Sequence, residues 1–205
     1  MSVRNVVRVV VKLGVILCIT IGLLLQMGIF SGSVVFTPFY TYTGLISVFV
    51  ALYELVTIIE MFRSKGSHNF VPWWQFAALI GALCNMELAY YTGNTGGSGH
   101  GGTALFLLNV LVPCAMAFEW LFLTPKGSFK EGYPWIGCLP IYIYMIIIAA
   151  GPSIGIGFEN YGVLNIASEG IISGILRFVQ ITMTMLGCGY FIESLDRFCA
   201  SKHIL

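Results

Sequence analysis

Ionisable side chains stand inside apolar segments of this sequence, where a charged group is costly to bury. Glu54, Glu87 and Arg177 are the candidates for a functional role. An ionisable residue at the centre of a bilayer costs at least ~2.5 kcal/mol on insertion scales, so such residues usually face a partner, a cavity or an ion pathway. Glu87 and Arg177 are therefore candidates for binding a polar ligand, with simple pairing between two helices as the alternative. Glu54 is a candidate for binding a proton or an ion.

Hydroxyl and amide side chains fall at a similar predicted depth. Thr41 and Thr43 begin the second apolar segment, and Asn109 lies in the fourth. At 1.5 Å per residue, Glu87, Asn109 and Arg177 are about 6–10 Å below the outer ends of their segments. The sequence predicts that these groups line one outward-leaning polar pocket inside the membrane. Thr43, Glu87, Asn109 and Arg177 are its predicted ligand-binding residues.

A proline follows Asn109 by four residues, in the stretch LLNVLVP (107–113). Proline has no N–H, so in an α-helix the carbonyl of Asn109 loses its hydrogen-bond donor. Irregular helices inside membranes are tolerated where neighbours or cavity water bind the freed group. The spacing predicts that the side chain and the backbone of Asn109 offer polar atoms at one place.

Helical spacing predicts inward polar faces on two segments. Residues three and four apart share one face of a helix. The two sets are Tyr40, Thr43, Ser47 and Glu54 in the second segment, and Gly170, Ser173, Arg177, Gln180 and Thr184 in the last. Small and hydroxyl residues in such stripes also allow helices to approach closely, which is the alternative interpretation.

The elements that position these residues are apolar helices. The chain has 205 residues, of which 58% are hydrophobic and 9% charged, with a formal net charge of +1. Soluble domains carry about 25% charged residues. The composition predicts a single all-α, polytopic membrane domain over residues 1–205, with membrane lipid and a small amphiphile as partners and no nucleic acid. The six cysteines form no CxxC motif, and no metal or cofactor is expected. The oligomeric state is left open.

Six segments have the length and apolarity of membrane-spanning helices, which need about 20 residues. They cover residues 6–30, 39–62, 73–91, 104–123, 135–150 and 170–193. Nine of the ten Lys and Arg residues fall on one side of this six-span arrangement, and the exception is Arg177. Because cytoplasmic loops carry an excess of Lys and Arg, the pattern predicts a cell-membrane protein with both termini in the cytoplasm.

Several stretches resemble a known superfamily. They are IGLLLQMGIF (21–30), FYTYTGLISVFVALYE (39–54), LLNVLVPCAMAFEWLF (107–122) and ENYGVLN (159–165). They resemble bacterial six-span membrane proteins that are distantly similar to the androgen-induced intramembrane threonine hydrolases. The resemblance covers roughly residues 20–195 and implies the same six-helix fold.

The resemblance also implies roles for individual residues. In that superfamily a threonine of the second span is the nucleophile, a histidine four residues before the fourth-span proline is the base, and lipid esters are hydrolysed. Thr41 matches the nucleophile, and Glu119 and Trp120 match an acidic–Trp pair, whereas Asn109 stands at the histidine position. An amide does not accept a proton near neutral pH, and a threonine hydroxyl needs a base. Hydrolysis is therefore not expected unless His100 folds back over the pocket.

The sequence thus favours a non-catalytic membrane protein that binds a lipid or small amphiphile. One alternative is a threonine-dependent lipid-ester hydrolase that uses Thr41, with Thr43 as the neighbouring candidate. Another is a small transporter or transporter subunit in which Glu54, Glu87 and Arg177 carry the substrate or protons. A structural subunit of a membrane complex is the fourth possibility.

Overall fold

The computed structural model describes residues 3–32, 34–64, 71–92, 100–150 and 171–202. All regular secondary structure in these ranges is helical. The helices are α1 (Val3–Gln26), α2 (Tyr42–Arg63), α3 (Pro72–Thr92), α4 (His100–Phe106), α5 (Val112–Phe118), α6 (Tyr133–Gly137), α7 (Leu139–Ala150) and α8 (Ile171–Ser201). The π-helical segment Leu107–Leu111 joins α4 to α5, and a second π-helical segment, Glu119–Leu123, follows α5. These four elements form one continuous helical run, called here the fourth run.

Four helical runs in the described part are long and apolar enough to cross a membrane, judged by length and composition. They are Val3–Gln26, Tyr42–Arg63, Gly101–Leu123 and Ile175–Ser201. The run Tyr133–Ile147 is apolar but shorter. The α3 helix is not in this group, because Gln75, Asn85 and Glu87 lower its apolarity. It packs against α2, the fourth run, α6, α7 and α8, and so has little surface left to face lipid.

The predicted segments are helical wherever they are described, but their ends differ. The first helix ends at Gln26 instead of residue 30, because Gly28 adopts a left-handed backbone conformation with φ 71°. The fifth is interrupted at Cys138, where Pro140 cannot donate a hydrogen bond to the carbonyl four residues before it. The last helix continues to Ser201 instead of residue 193. Residues 151–170, which include ENYGVLN and Gly170, lie outside the described residues.

Helix α1 is apolar outside and charged inside. Its buried face consists of Arg8, Lys12, Val15, Ile19, Gly22 and Leu23, whose spacing follows one side of a helix. Val10, Leu13 and Leu17 are exposed on the other side. A Cβ on Gly22 would lie 2.7 Å from the Leu108 side chain, so the glycine lets α1 approach the fourth run closely. This distribution is the reverse of that in a water-soluble helix and suits a helix surrounded by lipid.

Two sequence-based expectations are corrected by the packing. Arg8 and Lys12, which the orientation argument counted among the basic residues of the cytoplasmic side, lie within α1 and are buried against other helices. The predicted polar stripe of the last segment faces inward only in part where it is described, because Arg177 and Thr184 are half-buried and Gln180 is exposed. Ile181 and Met185 form the buried face instead. In the second segment the stripe is buried at Ser47 and Glu54, as predicted, but Tyr40 is exposed.

Candidate functional site

A buried ion cluster joins three separate helical runs. The Lys12 Nζ lies 2.6 Å from Oε2 of Glu54 and 2.6 Å from Oε1 of Glu119. The three side chains are 3%, 0% and 2% exposed, respectively. One ammonium thus bridges two carboxylates in a place that solvent does not reach. We call Lys12, Glu54 and Glu119 the ion cluster.

Each member reaches the cluster because of its local helix geometry. Lys12 lies on the buried face of α1, one turn after Arg8. Glu119 begins the second π-helical segment, in which the Thr124 N–H donates to the Glu119 carbonyl over 3.0 Å. The Lys12 ammonium also lies 5.0 Å from the centroid of the Tyr53 ring, and Arg8 interacts electrostatically with Glu119. Two cations and two carboxylates therefore meet at one level of the bundle.

Neutral polar groups extend the cluster toward the end of the fourth run. The Gln75 Nε2 donates to Thr124 Oγ1 over 2.8 Å, and that hydroxyl donates to the Glu119 carbonyl over 3.3 Å. Beyond Thr124, the Lys126 ammonium lies 4.3 Å from the centroid of the Trp120 indole. Burial of this ammonium lowers the pKa of Lys126. These polar groups thus lie between Glu119 and the loop that follows the fourth run.

The same loop is bound to the last helix. The N–H groups of Gly127 and Phe129 donate to Oδ2 of Asp196 over 2.9 and 3.1 Å. Arg197 contacts Glu131 at 3.1 Å and Glu193 at 2.6 Å. Together with the ion cluster, these contacts bring the beginning of α1 and the ends of α2, the fourth run and α8 to one end of the bundle.

A second polar site, the amide network, links Thr43, Asn85 and Asn109. The Thr43 hydroxyl donates to Asn85 Oδ1 over 2.7 Å, and Asn85 Nδ2 donates to Asn109 Oδ1 over 3.0 Å. Asn85 and Asn109 are 2% and 1% exposed. The network therefore joins α2, α3 and the fourth run through buried side chains. Two of the predicted ligand-binding residues, Thr43 and Asn109, are brought together by a residue that the sequence analysis had not singled out.

The backbone at Pro113 differs from the expectation. The Val112 N–H bonds to the carbonyl of Leu107, five residues earlier, so the helix has π geometry here. In this register the N–H that proline lacks would have served Leu108, not Asn109. Asn85 Nδ2 donates to this Leu108 carbonyl over 3.3 Å, so a side chain of the facing helix binds the carbonyl that the π register leaves without a backbone donor.

Thr41 lies outside the amide network and caps a helix. Its hydroxyl donates to the Pro38 carbonyl over 2.8 Å and accepts from the Gly44 N–H over 3.0 Å. Such a side chain at an N-cap stabilises a helix by about 1 kcal/mol. His100 begins α4, and nine residues of helix separate it from Asn109 by about 14 Å along the axis. Because both residues belong to the same continuous helical run, we do not expect His100 to fold back toward Asn109.

We expect Thr41→Ala to lower the free energy of unfolding by about 1 kcal/mol, because the first turn of α2 loses its cap. Thr41→Ser keeps the hydroxyl and should remain close to the wild type. Thermal unfolding of the purified protein in detergent, followed by circular dichroism, measures both. Equal stability of the alanine and serine variants would contradict the capping role.

The remaining predicted residues lie apart from the amide network. Glu54 belongs to the ion cluster, eleven residues or about 16 Å along α2 from Thr43. Glu87 is half-buried and lies beside Thr184 of α8. Arg177 is half-buried in the same helix, seven residues or about 10 Å along the axis from Thr184. The described contacts thus bring Thr43 and Asn109 together and place Glu54 in the ion cluster, and a common pocket with Glu87 and Arg177 stays a prediction.

An apolar groove opens on the outside of the bundle between α2, α3, α6 and α7. Its volume is about 280 Å³. The Tyr42 hydroxyl donates to the Gly81 carbonyl over 3.2 Å, and the Tyr144 hydroxyl donates to the Tyr40 carbonyl over 3.4 Å. Both tyrosines thus present their rings to the groove. The lining consists of Tyr42, Leu45, Ile46, Phe49, Trp73, Ala77, Ile136, Leu139, Pro140, Ile143, Tyr144 and Ile147.

The fold and these sites define a helical bundle with apolar exposed faces and buried charges, which is typical of membrane proteins. Comparison with known proteins found no matching family model, no similar curated protein and no similar solved structure. The resemblance to intramembrane threonine hydrolases stays a prediction from the sequence motifs. Among the described residues, no group of His, Cys, Asp and Glu is arranged to hold a metal ion.

Sequence reasoning missed Lys12 and Asn85 as site residues. Lys12 had been counted as an orientation signal only, although its spacing from Arg8, Val15 and Ile19 follows one helix face. Asn85 stands in an apolar stretch two residues before Glu87. A complete survey of polar residues inside apolar segments would have found both.

Proposed function

We propose that this chain is an integral membrane protein with six spanning helices and cytoplasmic termini, which holds the acyl chain of a lipid or of a small amphiphile in the apolar groove. The observation that carries the proposal is the groove itself, an apolar cleft on the outside of a bundle whose helices match the thickness of a membrane. Trp73, Leu139 and Ile143 on its wall are 47%, 46% and 54% exposed. The groove therefore opens toward the surrounding hydrocarbon.

The physical basis of binding differs from that in water. Lipid tails are as apolar as the groove wall, so the hydrophobic effect does not drive a chain into it. Selectivity comes from dispersion contacts with a complementary shape, which are individually weak but numerous. We therefore expect the groove to enrich one type of acyl chain and to exchange it with the bilayer.

The orientation rests on the basic residues at one end of the bundle. The ends of α2 and α8 carry Arg63 and Arg197, and the loop after the fourth run carries Lys126 and Lys130. An excess of Lys and Arg is typical of cytoplasmic loops. Accessibility of Ser128→Cys, in that loop, to a membrane-impermeant thiol reagent in intact cells tests the orientation. The proposal expects no labelling until the membrane is opened, and labelling of intact cells would reverse the topology.

Acyl-chain binding is tested by filling the groove. Ile143→Trp places a large ring in the groove, and Ile59→Trp is the matched control, because Ile59 is 55% exposed on α2 and does not line the groove. A lipid with a photoreactive acyl chain is crosslinked to the protein in nanodiscs, and the labelled peptides are identified by mass spectrometry. We expect labelling of the groove peptides to fall several-fold in Ile143→Trp and to stay unchanged in Ile59→Trp. Equal labelling of both variants would contradict the proposal.

Lipid-ester hydrolysis by Thr41 finds less support. The Thr41 hydroxyl is engaged in two hydrogen bonds at the start of α2, and Asn109 supplies no base. We expect a serine-hydrolase probe of the fluorophosphonate type to leave the protein unlabelled. If the probe labels the protein, and the label is lost in Thr41→Ala but kept in Thr43→Ala, lipid-ester hydrolysis would be the better supported function.

A further inference from the structure

The ion cluster contains polar atoms that the bonds described above leave unused. Within the described residues, Glu54 Oε1, Glu119 Oε2, Gln75 Oε1 and the Tyr53 hydroxyl have no hydrogen-bond partner. All four side chains are at least nine-tenths buried, with exposures of 0%, 2%, 1% and 0%. Buried polar groups in native proteins are nearly always bonded, and each exception calls for an explanation such as a functional role. The two carboxylate atoms belong to groups whose other oxygen contacts the Lys12 ammonium, and the Tyr53 ring lies 5.0 Å from that ammonium.

We infer that the ion cluster is a proton-binding site, in which one of the two carboxylates takes up a proton while Lys12 stays paired with the other. The two bonded oxygens are no further apart than twice 2.6 Å, because both contact the same nitrogen atom. Two carboxylates held this closely share protons, since ionisation of one disfavours ionisation of the other. The inference is independent of acyl-chain binding and concerns another part of the bundle.

The proton balance of the uptake is simple. A proton that enters from the end of the bundle adds to the free oxygen of Glu54 or Glu119 and makes that group a neutral carboxylic acid. Lys12 keeps its three protons and its bond to the remaining carboxylate. No covalent bond other than the new O–H forms or breaks, and the charge of the cluster rises by one. Because the two sites are coupled, the uptake belongs to the pair and not to one residue.

Charged groups on the neighbouring elements raise or lower the pH at which the ion cluster takes up its proton. Helix α1 contributes Arg8 and, one turn earlier, Arg4, and both oppose an additional positive charge. Helix α2 contributes Tyr53 and the more distant Glu60, and α3 contributes the neutral Gln75. The fourth run contributes Glu119 itself. Burial of two carboxylates favours uptake and Arg8 disfavours it, so removal of Arg8 should make the proton bind at higher pH.

The cluster lies near one end of the bundle. Glu119 is four residues before the end of its helical segment at Leu123, which corresponds to about 6 Å along the axis. Thr124 and Gln75, which bond to each other and to the Glu119 backbone carbonyl, are the polar groups on that side. Ionisable residues at such depth in membrane proteins mark proton relays. We therefore expect protons to enter the cluster from the side of the loop that follows the fourth run.

The test is an infrared titration of the full-length protein in nanodiscs. The carbonyl stretch of a protonated carboxyl group reports uptake directly as the pH is lowered from neutral to acidic. We expect a band that grows as the pH falls, with an intensity of roughly one acid group per chain. The band should be lost or displaced in Glu54→Gln and in Glu119→Gln. The control is Glu193→Gln, which removes a buried carboxylate paired with Arg197 at the end of α8 and should leave the band in place.

A second variant keeps the experiment decisive if a glutamine variant does not fold. Arg8→Gln retains the whole ion cluster and removes one opposing charge. Its titration midpoint should rise by about one pH unit, the usual effect of a nearby charge. A wild-type protein without a titrating band, a band unaffected by both glutamate substitutions, or a midpoint that stays or falls in Arg8→Gln would each overturn the inference. The cluster would then serve only to hold the helices together.

Discussion

Replacing Lys12 with methionine is expected to lower the free energy of unfolding by about 3–5 kcal/mol, the usual cost of removing one partner from a buried ion pair. Glu54 and Glu119 would remain 0% and 2% exposed and would face each other without the ammonium between them. The loss of attraction is only part of the cost. The larger part is the burial of carboxylates that have lost the cation bonded to both of them.

The measurement is unfolding by heat or sodium dodecyl sulfate in mixed micelles, followed by circular dichroism. Lys130→Met is the matched control, because Lys130 is exposed in the loop after the fourth run, and surface substitutions usually change stability by less than about 0.5 kcal/mol. The triple variant Lys12→Met, Glu54→Gln and Glu119→Gln should recover part of the loss, since both carboxylates become neutral, while the buried Arg8 loses Glu119 as its partner. A cost for Lys12→Met equal to that of Lys130→Met would show that the ion cluster does not form.

The second large effect is expected for Asn85→Leu, which should destabilise the protein by about 2 kcal/mol or more. The substitution removes the partners of the Thr43 hydroxyl, the Asn109 side chain and the Leu108 carbonyl. A buried polar group left without a partner costs about 1–3 kcal/mol. We expect a loss near the lower end of what three such groups would give, because side-chain hydrogen bonds within membrane proteins average only about 0.6 kcal/mol.

A double-mutant cycle separates the network from general packing effects. Asn85→Leu and Asn109→Leu are measured singly and together, and residues in one hydrogen-bond network should give a coupling energy of at least about 0.5 kcal/mol. Gln180→Leu makes a similar change on an exposed position of α8 and should have little effect. Additive losses in the cycle would mean that Asn85 and Asn109 do not act together.

The fourth run connects the two polar sites. Its first π-helical segment, Leu107–Leu111, carries Asn109, and its second, Glu119–Leu123, begins with Glu119. A π-helical turn inserts one residue into the helix and is frequent at functional sites. Here each turn coincides with a buried polar side chain that contacts another helix. We interpret both irregularities as local adjustments that aim these side chains inward.

The helical nature of the chain follows from its composition and periodicity. Apolar stretches of membrane length are recognisable because each is long, uninterrupted and bounded by polar residues. Helix ends were less predictable, since the stop at Gln26 depends on the left-handed backbone of Gly28 and the interruption at Cys138 on a nearby proline. The association of Thr43 with Asn109 was anticipated from their common depth, but Asn85, which joins them, was not.

The sequence by itself determined an all-helical chain with several apolar helices of membrane length, because hydrophobicity and period are local properties that need no partner. Only the tertiary structure decided which polar residues meet. A position along a helix gives the depth of a side chain but not the helix that it faces, so Lys12 could be counted as a loop charge until packing placed it between Glu54 and Glu119. The tertiary structure likewise decided that the Leu108 carbonyl, near Pro113, accepts a hydrogen bond from the Asn85 side chain of a neighbouring helix.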